Sequence, residues 1–249
     1  FLGGKEVNVW ILFREVKPWV TPFDPENQLI FGVGTLVGTL APGASRLSVE
    51  SKNAFTNGFA SSNCGSHFAP ELKFAGYDNV IIEGRSPKPV YLWIMDDKVE
   101  IRDASDMWGK TTWETDALVK EDIGDKNIQV ACIGPAGENL VRAACIIVDR
   151  GRALGRCGLG AIMGSKNLKA IAVKGTGSIR VADPKKFMEV VDTCYQKIKK
   201  ASYPKLIGKY GTHLDHFAIF TKDKSGAGLD PRNFQDDYWD PTQAAKLSM

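Results

Sequence analysis

Between Asp149 and Gly164 the chain carries three arginines (Arg150, Arg152, Arg156) and five glycines (Gly151, Gly155, Gly158, Gly160, Gly164). Glycine lets backbone N–H and C=O groups approach a ligand with no Cβ in the way. Arginine presents a forked donor that matches phosphate oxygens two at a time. A loop of this composition suits a bulky anionic ligand. The competing reading is a glycine-rich turn with solvated arginines, and the loop alone does not decide between them.

A second cluster lies upstream. Gly38-Thr39-Leu40-Ala41-Pro42-Gly43-Ala44-Ser45-Arg46 is followed by Ser61-Ser62-Asn63-Cys64-Gly65-Ser66-His67-Phe68. Arg46 and Arg152 each sit beside glycine-rich backbone, which suits bidentate contact with phosphate. Lys52 is a further cation close behind Arg46. Cys64 is a soft ligand for a late metal if its thiolate is exposed, and otherwise a bystander thiol. His213 and His216 form an H-x-x-H pair with no third ligand in view, so they read as solvated or hydrogen-bonded histidines before they read as a metal site.

The elements that must position these residues are short strands and a few helices. Leu29–Val33, Val80–Glu83, Val90–Met95 and Val99–Arg102 read as strands, the last two forming a hairpin around Asp96-Asp97-Lys98. Gln129–Ile133, Ala143–Val148 and Ala170–Val173 read likewise, while Val7–Val16 fits a strand or a short helix. Thr112–Ile123 is expected to be helical with Trp113, Ala117, Leu118 and Val119 on its apolar side. Asp183–Lys200 is the clearest helix: Asp183 caps it, Pro184 opens it, and Phe187, Val190, Val191, Cys194, Tyr195 and Ile198 line one face.

Two segments rhyme. Gly76–Gly84 and Gly164–Gly175 each run glycine, polar turn, apolar strand, charge, glycine, and each follows one of the glycine/arginine clusters. This predicts an α+β fold of two similar β-rich halves, a duplication, with one ligand loop per half. Chance similarity of two turn–strand units is the alternative. The texture turns helical near Ala182, which places a boundary there: residues 1–181 as a binding domain and 182–249 as the beginning of a helical one.

The 249 residues are 43% hydrophobic and 24% charged with a formal net charge of +3, an ordinary globular composition that argues against a nucleic-acid partner. No apolar run is long enough to span a bilayer, and the opening residues show no signal-peptide pattern. Five dispersed cysteines, none at C-x-x-C spacing, fit reduced thiols and a cytoplasmic setting. Cys132 and Cys145 lie in apolar runs and are expected to pack as small hydrophobes.

Taken together, the landmarks make the chain resemble the cofactor-binding amino-terminal domain of the aldehyde:ferredoxin oxidoreductase family. They run Phe1-Leu2-Gly3-Gly4, Asp24-Pro25-Glu26-Asn27, Glu71-Leu72-Lys73, Ala75-Gly76-Tyr77-Asp78, Trp108-Gly109, Ile133-Gly134-Pro135-Ala136-Gly137-Glu138-Asn139, the Asp149–Gly164 run and Arg232-Asn233-Phe234-Gln235. The resemblance implies a tungsten (or molybdenum) bis-pyranopterin cofactor. It implies cofactor contacts at Arg46, Lys52, Asn63, Cys64, Gly65, Arg152, Ala153, Gly155, Arg156 and Gly158. It further implies a magnesium ion held by the backbone carbonyls of Asn63 and Ala153. The implied reaction is oxidation of an aldehyde to a carboxylic acid, with electrons passing through a 4Fe–4S cluster to ferredoxin or an electron-transfer subunit. The cluster ligands, a C-x-x-C-x-x-x-C set and a distant Cys, and the acid/base residues are expected beyond Met249, in a longer protein of which this would be a part. Cys64, Ser66 and His67 depart from the family pattern. They keep open an aryl-CoA (benzoyl-CoA-type) reductase subunit acting on an aryl-CoA substrate, and a pterin-binding scaffold without turnover is the reading from another class. Oligomeric state stays open.

Overall fold

The computed structural model describes residues 2–210, the side chains of residues 206, 209 and 210 excepted. His213, His216 and the Arg232–Gln235 landmark lie outside the described residues. Two compact units are present, residues 1–182 and 183–249.

The first unit contains ten strands in two sheets. Strands β1 (Leu29–Val33), β2 (Arg46–Lys52), β3 (Phe59–Gly65) and β4 (Asn79–Ile82) form an antiparallel sheet in the order β3-β2-β1-β4. Strands β5 (Val90–Met95), β6 (Lys98–Asp103), β7 (Gln129–Cys132), β8 (Ile146–Val148), β9 (Arg152–Leu154) and β10 (Leu168–Lys174) form the second, ordered β6-β5-β10-β7-β8-β9. Of these contacts only β10 against β5 is parallel.

The two halves share one topology. Helix α1 (Lys5–Glu15) leads into β1, β2 and β3, then helix α2 (Phe68–Phe74), then β4 beside β1. Helix α3 (Thr112–Ile123) leads into β7, β8 and β9, then helix α5 (Leu159–Ser165), then β10 beside β7. Helix α4 (Pro135–Glu138) is an extra turn in the second half, and the β5–β6 hairpin is an addition beside β10. The rhyming segments supply β4 and β10, which hold the same place in the two halves.

The ladders fix the correspondence residue by residue. Setting Phe31 on Ala131 carries Val49 onto Val148, Ser62 onto Arg152 and Val80 onto Ile171. The inward alternation agrees, since a one-residue slip would turn every side chain to the other face. Leu47, Val49, Cys64 and Phe31 share one core with Ile146, Val148, Leu154 and Ala131. Phe68, Leu72, Leu159, Ile162 and Met163 from α2 and α5 fill the same core. The outer face of the second sheet makes another core with α3: Tyr91, Trp93, Val119, Ile128, Val130, Ala170 and Ala172.

One open reading is settled and two local expectations change. The stretch that fitted a strand or a short helix is helix α1, Lys5–Glu15. Asn8 faces the outer side of the first sheet, where its amide meets the Glu50 carboxylate. Helix α3 buries Thr115, Asp116 and Val119, and leaves Trp113 exposed. The reason is electrostatic: Asp116 takes an ion pair from Lys120 at 3.0 Å and another from Arg150, whose guanidinium also lies 5.7 Å from the Trp113 ring. Cys132 is buried as expected, whereas Cys145 is only half-buried. In the second unit, helix α6 (Pro184–Lys200) is capped by Asp183, which accepts the Lys186 N–H at 3.0 Å, and helix α7 (Ser202–Tyr210) follows.

Candidate cofactor-binding site

The edge strands β3 and β9 bring the two glycine/arginine clusters together. The Ser62 hydroxyl donates to the Gly155 carbonyl at 2.8 Å, and the Ala54 N–H donates to the Cys157 carbonyl at 3.1 Å. Arg46 begins β2 and pairs with Gly65, and Arg152 begins β9 and pairs with Val148. Both guanidiniums act on the same buried thiol, Cys64, and pull its pKa down. Burial outweighs them, with help from the Asp149 carboxylate, and pushes Cys64 up to about 11. Arg46, Arg152 and Arg156 are all exposed and, among the described residues, reach no carboxylate within ion-pair distance.

The correspondence between the halves gives this site its form. Asn63 falls on Ala153 and Gly65 falls on Gly155. The two positions whose carbonyls the family resemblance assigns to magnesium are thus equivalent residues of equivalent strands. Neither glycine is crowded: a Cβ on Gly65 would meet its nearest neighbour at 3.9 Å (Ser45 Oγ) and one on Gly155 at 4.0 Å (Cys145 Sγ), both ordinary contact distances. A cleft of about 390 Å³ reaches Arg46, with Leu36, Val37, Pro42 and Ala44 on its wall. Lys5 and Glu6 line it too, so its wall is part apolar and part charged, a mixture that suits a ring system with a polar tail. Paired oxygen donors between two such tails suit magnesium, which keeps several waters and takes few protein ligands. The residues present therefore fit a bis-pterin and its magnesium.

Three sequence-derived assignments are corrected. Lys52 lies at the opposite end of β2 from Arg46, and its ammonium donates to the carbonyls of Pro18 (2.8 Å) and Val20. It anchors a loop. The Cys64 side chain points into the core, 5% exposed, and only its backbone faces the cradle. Gly158 is buried, with φ +74°, and a Cβ there would come within 2.2 Å of the Arg142 carbonyl oxygen. Gly164 is similar, its Cβ position lying 2.0 Å from the Gly137 carbonyl oxygen. Part of the glycine density in the loop thus serves the close packing of α5.

Sequence reasoning missed Asp149. It lies in the β8–β9 turn, where Asp149 and Arg150 both adopt left-handed backbone, φ +49° and +63°. Its carboxylate accepts the His67 N–H at 2.6 Å, across the junction between the halves. Burial raises its pKa, opposed by the amides of His67 and Phe68. A contact between residues 82 positions apart leaves no trace in local pattern. The Asp149-Arg150-Gly151 turn chemistry was the available hint.

Two wider clefts lie elsewhere. One of about 640 Å³ opens between β4 and the β5–β6 hairpin, with Lys166 at its edge. That ammonium is spent on the carbonyls of Pro25, Asn27 and Gly84, although burial lowers its pKa to about 8. The other, about 710 Å³, lies over α3 beside Lys120, Lys126 and Arg150. The first is lined by both halves, β4 on one side and Leu168 with the β5–β6 hairpin on the other, but neither contains a residue of the Asn63–Gly65 or Arg152–Gly155 stretches. Among the described residues no group of three or more His, Cys, Asp or Glu side chains is placed to hold a metal ion, and no helix is long and apolar enough to cross a membrane.

A duplicated two-sheet unit gathers exposed arginines and edge-strand backbone at its junction. The chain belongs to the aldehyde ferredoxin oxidoreductase family: the profile described as "Aldehyde ferredoxin oxidoreductase, N-terminal domain" matches residues 1–175. It is 49% identical over 239 residues to the tungsten-containing aldehyde ferredoxin oxidoreductase of Pyrococcus abyssi, covering 94% of this chain and 38% of that protein. It is 34% identical to the WOR-like subunit of an aliphatic sulfonate oxidoreductase from Pyrococcus furiosus, covering 96% of this chain and 40% of that one. Among solved structures it matches a chain of the active site complex BamBC of benzoyl coenzyme A reductase with 1,5-dienoyl-CoA. The TM-score is 0.84 at 36% identity, over 99% of this chain and 39% of that one. The chain thus spans about two fifths of the length of the relatives it matches.

Proposed function

We propose that this chain is the cofactor-binding base of a tungsten bis-pyranopterin enzyme that oxidises aldehydes. The observation that carries the reading is the equivalence of Asn63 with Ala153 and of Gly65 with Gly155, beside the unpaired Arg46 and Arg152. The 49% identity to a tungsten-containing aldehyde ferredoxin oxidoreductase supports the same substrate class. Aldehyde and water give carboxylic acid, two electrons and two protons. The bound tungsten–dithiolene centre supplies the two-electron redox step. Arg46, Arg152 and Arg156 would neutralise the pterin phosphates, the Asn63 and Ala153 carbonyls would be magnesium ligands, and Gly65 and Gly155 would admit the cofactor against backbone. A 4Fe–4S cluster with ligands beyond these residues and ferredoxin would serve as electron acceptors, in the cytoplasm.

The match to the benzoyl coenzyme A reductase complex supports a second reading, in which the same base serves an aryl-CoA substrate. The test uses the full-length enzyme. Arg46→Ala/Arg152→Ala removes two charge-assisted contacts of about 1.5–3 kcal/mol each and should strip tungsten and pterin from folded protein. Full occupancy in that variant refutes the assignment. Viologen reduction by aldehydes, against dienoyl-CoA turnover, decides between the substrates.

A further inference from the structure

We infer that Asp149 is a positioning residue that sets the spacing between the two half-cradles, and so between the Asn63 and Ala153 carbonyls. The inference rests on the cofactor reading above. Asp149 stands four residues before Ala153, and His67 stands four residues after Asn63. The 2.6 Å bond from the His67 amide to the Asp149 carboxylate therefore joins two arms of equal length, each ending on one carbonyl position. The Ser62 to Gly155 hydrogen bond ties the same strands further along.

Several features mark this contact as more than incidental. The carboxylate is charge-assisted toward an amide, a class of hydrogen bond about twice as strong as a neutral one. The turn that presents it is held in left-handed backbone at two consecutive non-glycine residues, φ +49° and +63°. Such a conformation persists only where its surroundings impose it. The equivalent position in the first half is also an acid, the fully buried Glu50, whereas Asp149 is half-buried, and it is used differently. Glu50 turns to its own half, taking the Ser48 hydroxyl at 2.6 Å, the Ser61 hydroxyl at 2.9 Å and the Asn8 amide. Only the second half uses this position to reach across. The acid is also placed where it neutralises neither ligand-facing arginine: Arg46, Arg152 and Arg156 form no ion pair with it.

The test compares Asp149→Ala and Asp149→Asn in the full-length enzyme with Val119→Ala, which thins the second core away from the junction and controls for lost stability. Hydrogen exchange on the cofactor-free protein reads the clamp. Asp149→Ala should speed exchange at His67 and Phe68 about tenfold or more, the scale of losing a hydrogen bond to a charged group. Asp149→Asn, which keeps an acceptor oxygen, should fall between. Tungsten and magnesium per folded chain read the spacing: both should drop together in Asp149→Ala and hold in Val119→Ala. Unchanged exchange at residues 67–68 overturns the clamp whatever the metal content. Faster exchange with full tungsten and magnesium overturns the positioning role. A wild-type enzyme that takes up neither metal overturns the cofactor reading and with it the ligand-spacing role, while exchange still decides the clamp.

Discussion

Alanine at Gly155 and alanine at Gly158 should fail in opposite ways, although only two residues separate them. At Gly158 the new Cβ would lie 2.2 Å from the Arg142 carbonyl oxygen and 2.5 Å from the Ala54 Cβ, on backbone at φ +74°. Left-handed backbone costs a non-glycine residue about 1–2 kcal/mol, and forcing a methyl into packed structure costs about 1–3 kcal/mol more. The sum, about 2–5 kcal/mol, is a large part of the 5–15 kcal/mol that holds a typical domain folded. Gly158→Ala should therefore lower the melting temperature sharply. At Gly155 the nearest atom stands 4.0 Å from the Cβ position and φ lies outside the left-handed region. There alanine is free of clash in the protein alone, and reduced unfolded-chain entropy should stabilise by about 0.4–1 kcal/mol. That methyl would instead occupy space assigned to the cofactor. Gly155→Ala in the full-length enzyme should melt at or above the wild-type temperature yet carry less tungsten per chain, and Gly65→Ala should match it. The assay pairs a melting curve with metal analysis of the folded fraction. Full tungsten in Gly155→Ala would refute the ligand-facing role, and an undiminished melting temperature in Gly158→Ala would refute the packing argument.

Two further outcomes are expected. Burial raises the Glu50 pKa above the ordinary carboxylate value, so its contribution to stability is fully present below the unfolded value of 4.5 and is lost as pH rises through the folded one. Glu50→Gln should thus gain on wild type as pH rises from 4.5 toward neutrality, and parallel melting-temperature curves would contradict this. Cys64→Ala should cost about 1 kcal/mol as a small core truncation and leave tungsten content unchanged, whereas loss of tungsten without loss of fold would make the thiol a ligand.

The strands and the duplication were readable because they are periodic. The segments Gly76–Gly84 and Gly164–Gly175 share an apolar run between glycines, and that run is what a strand beside β1 or β7 must bury. That the two glycine/arginine clusters belong together was readable because each precedes one of the rhyming segments. What stayed hidden depends on distance through space. Composition does not tell the uncrowded glycine from the one that touches Arg142. The α3 face was misread because Asp116 is buried by virtue of Lys120 and Arg150, and the latter is 34 residues away. Cys64 was undecided because strand parity, set by pairing with Leu47, points its thiol inward.

The shared topology also has a history written into it. Two copies of one unit facing each other across β3 and β9 are what a symmetric homodimer becomes when its genes are joined. In separate chains the cradle would assemble at a rate and occupancy set by protein concentration. Joined, each half meets the other at an effective concentration on the order of millimolar for a short tether. On the proposed reading, a cradle with carbonyls from both halves then exists whenever the chain is folded, however dilute the cell keeps it. Covalent union also frees the copies to diverge, because a change in one is no longer imposed on the other. The different duties of Glu50 and Asp149 are that freedom in use: one acid keeps its own half together, and its counterpart reaches over the seam.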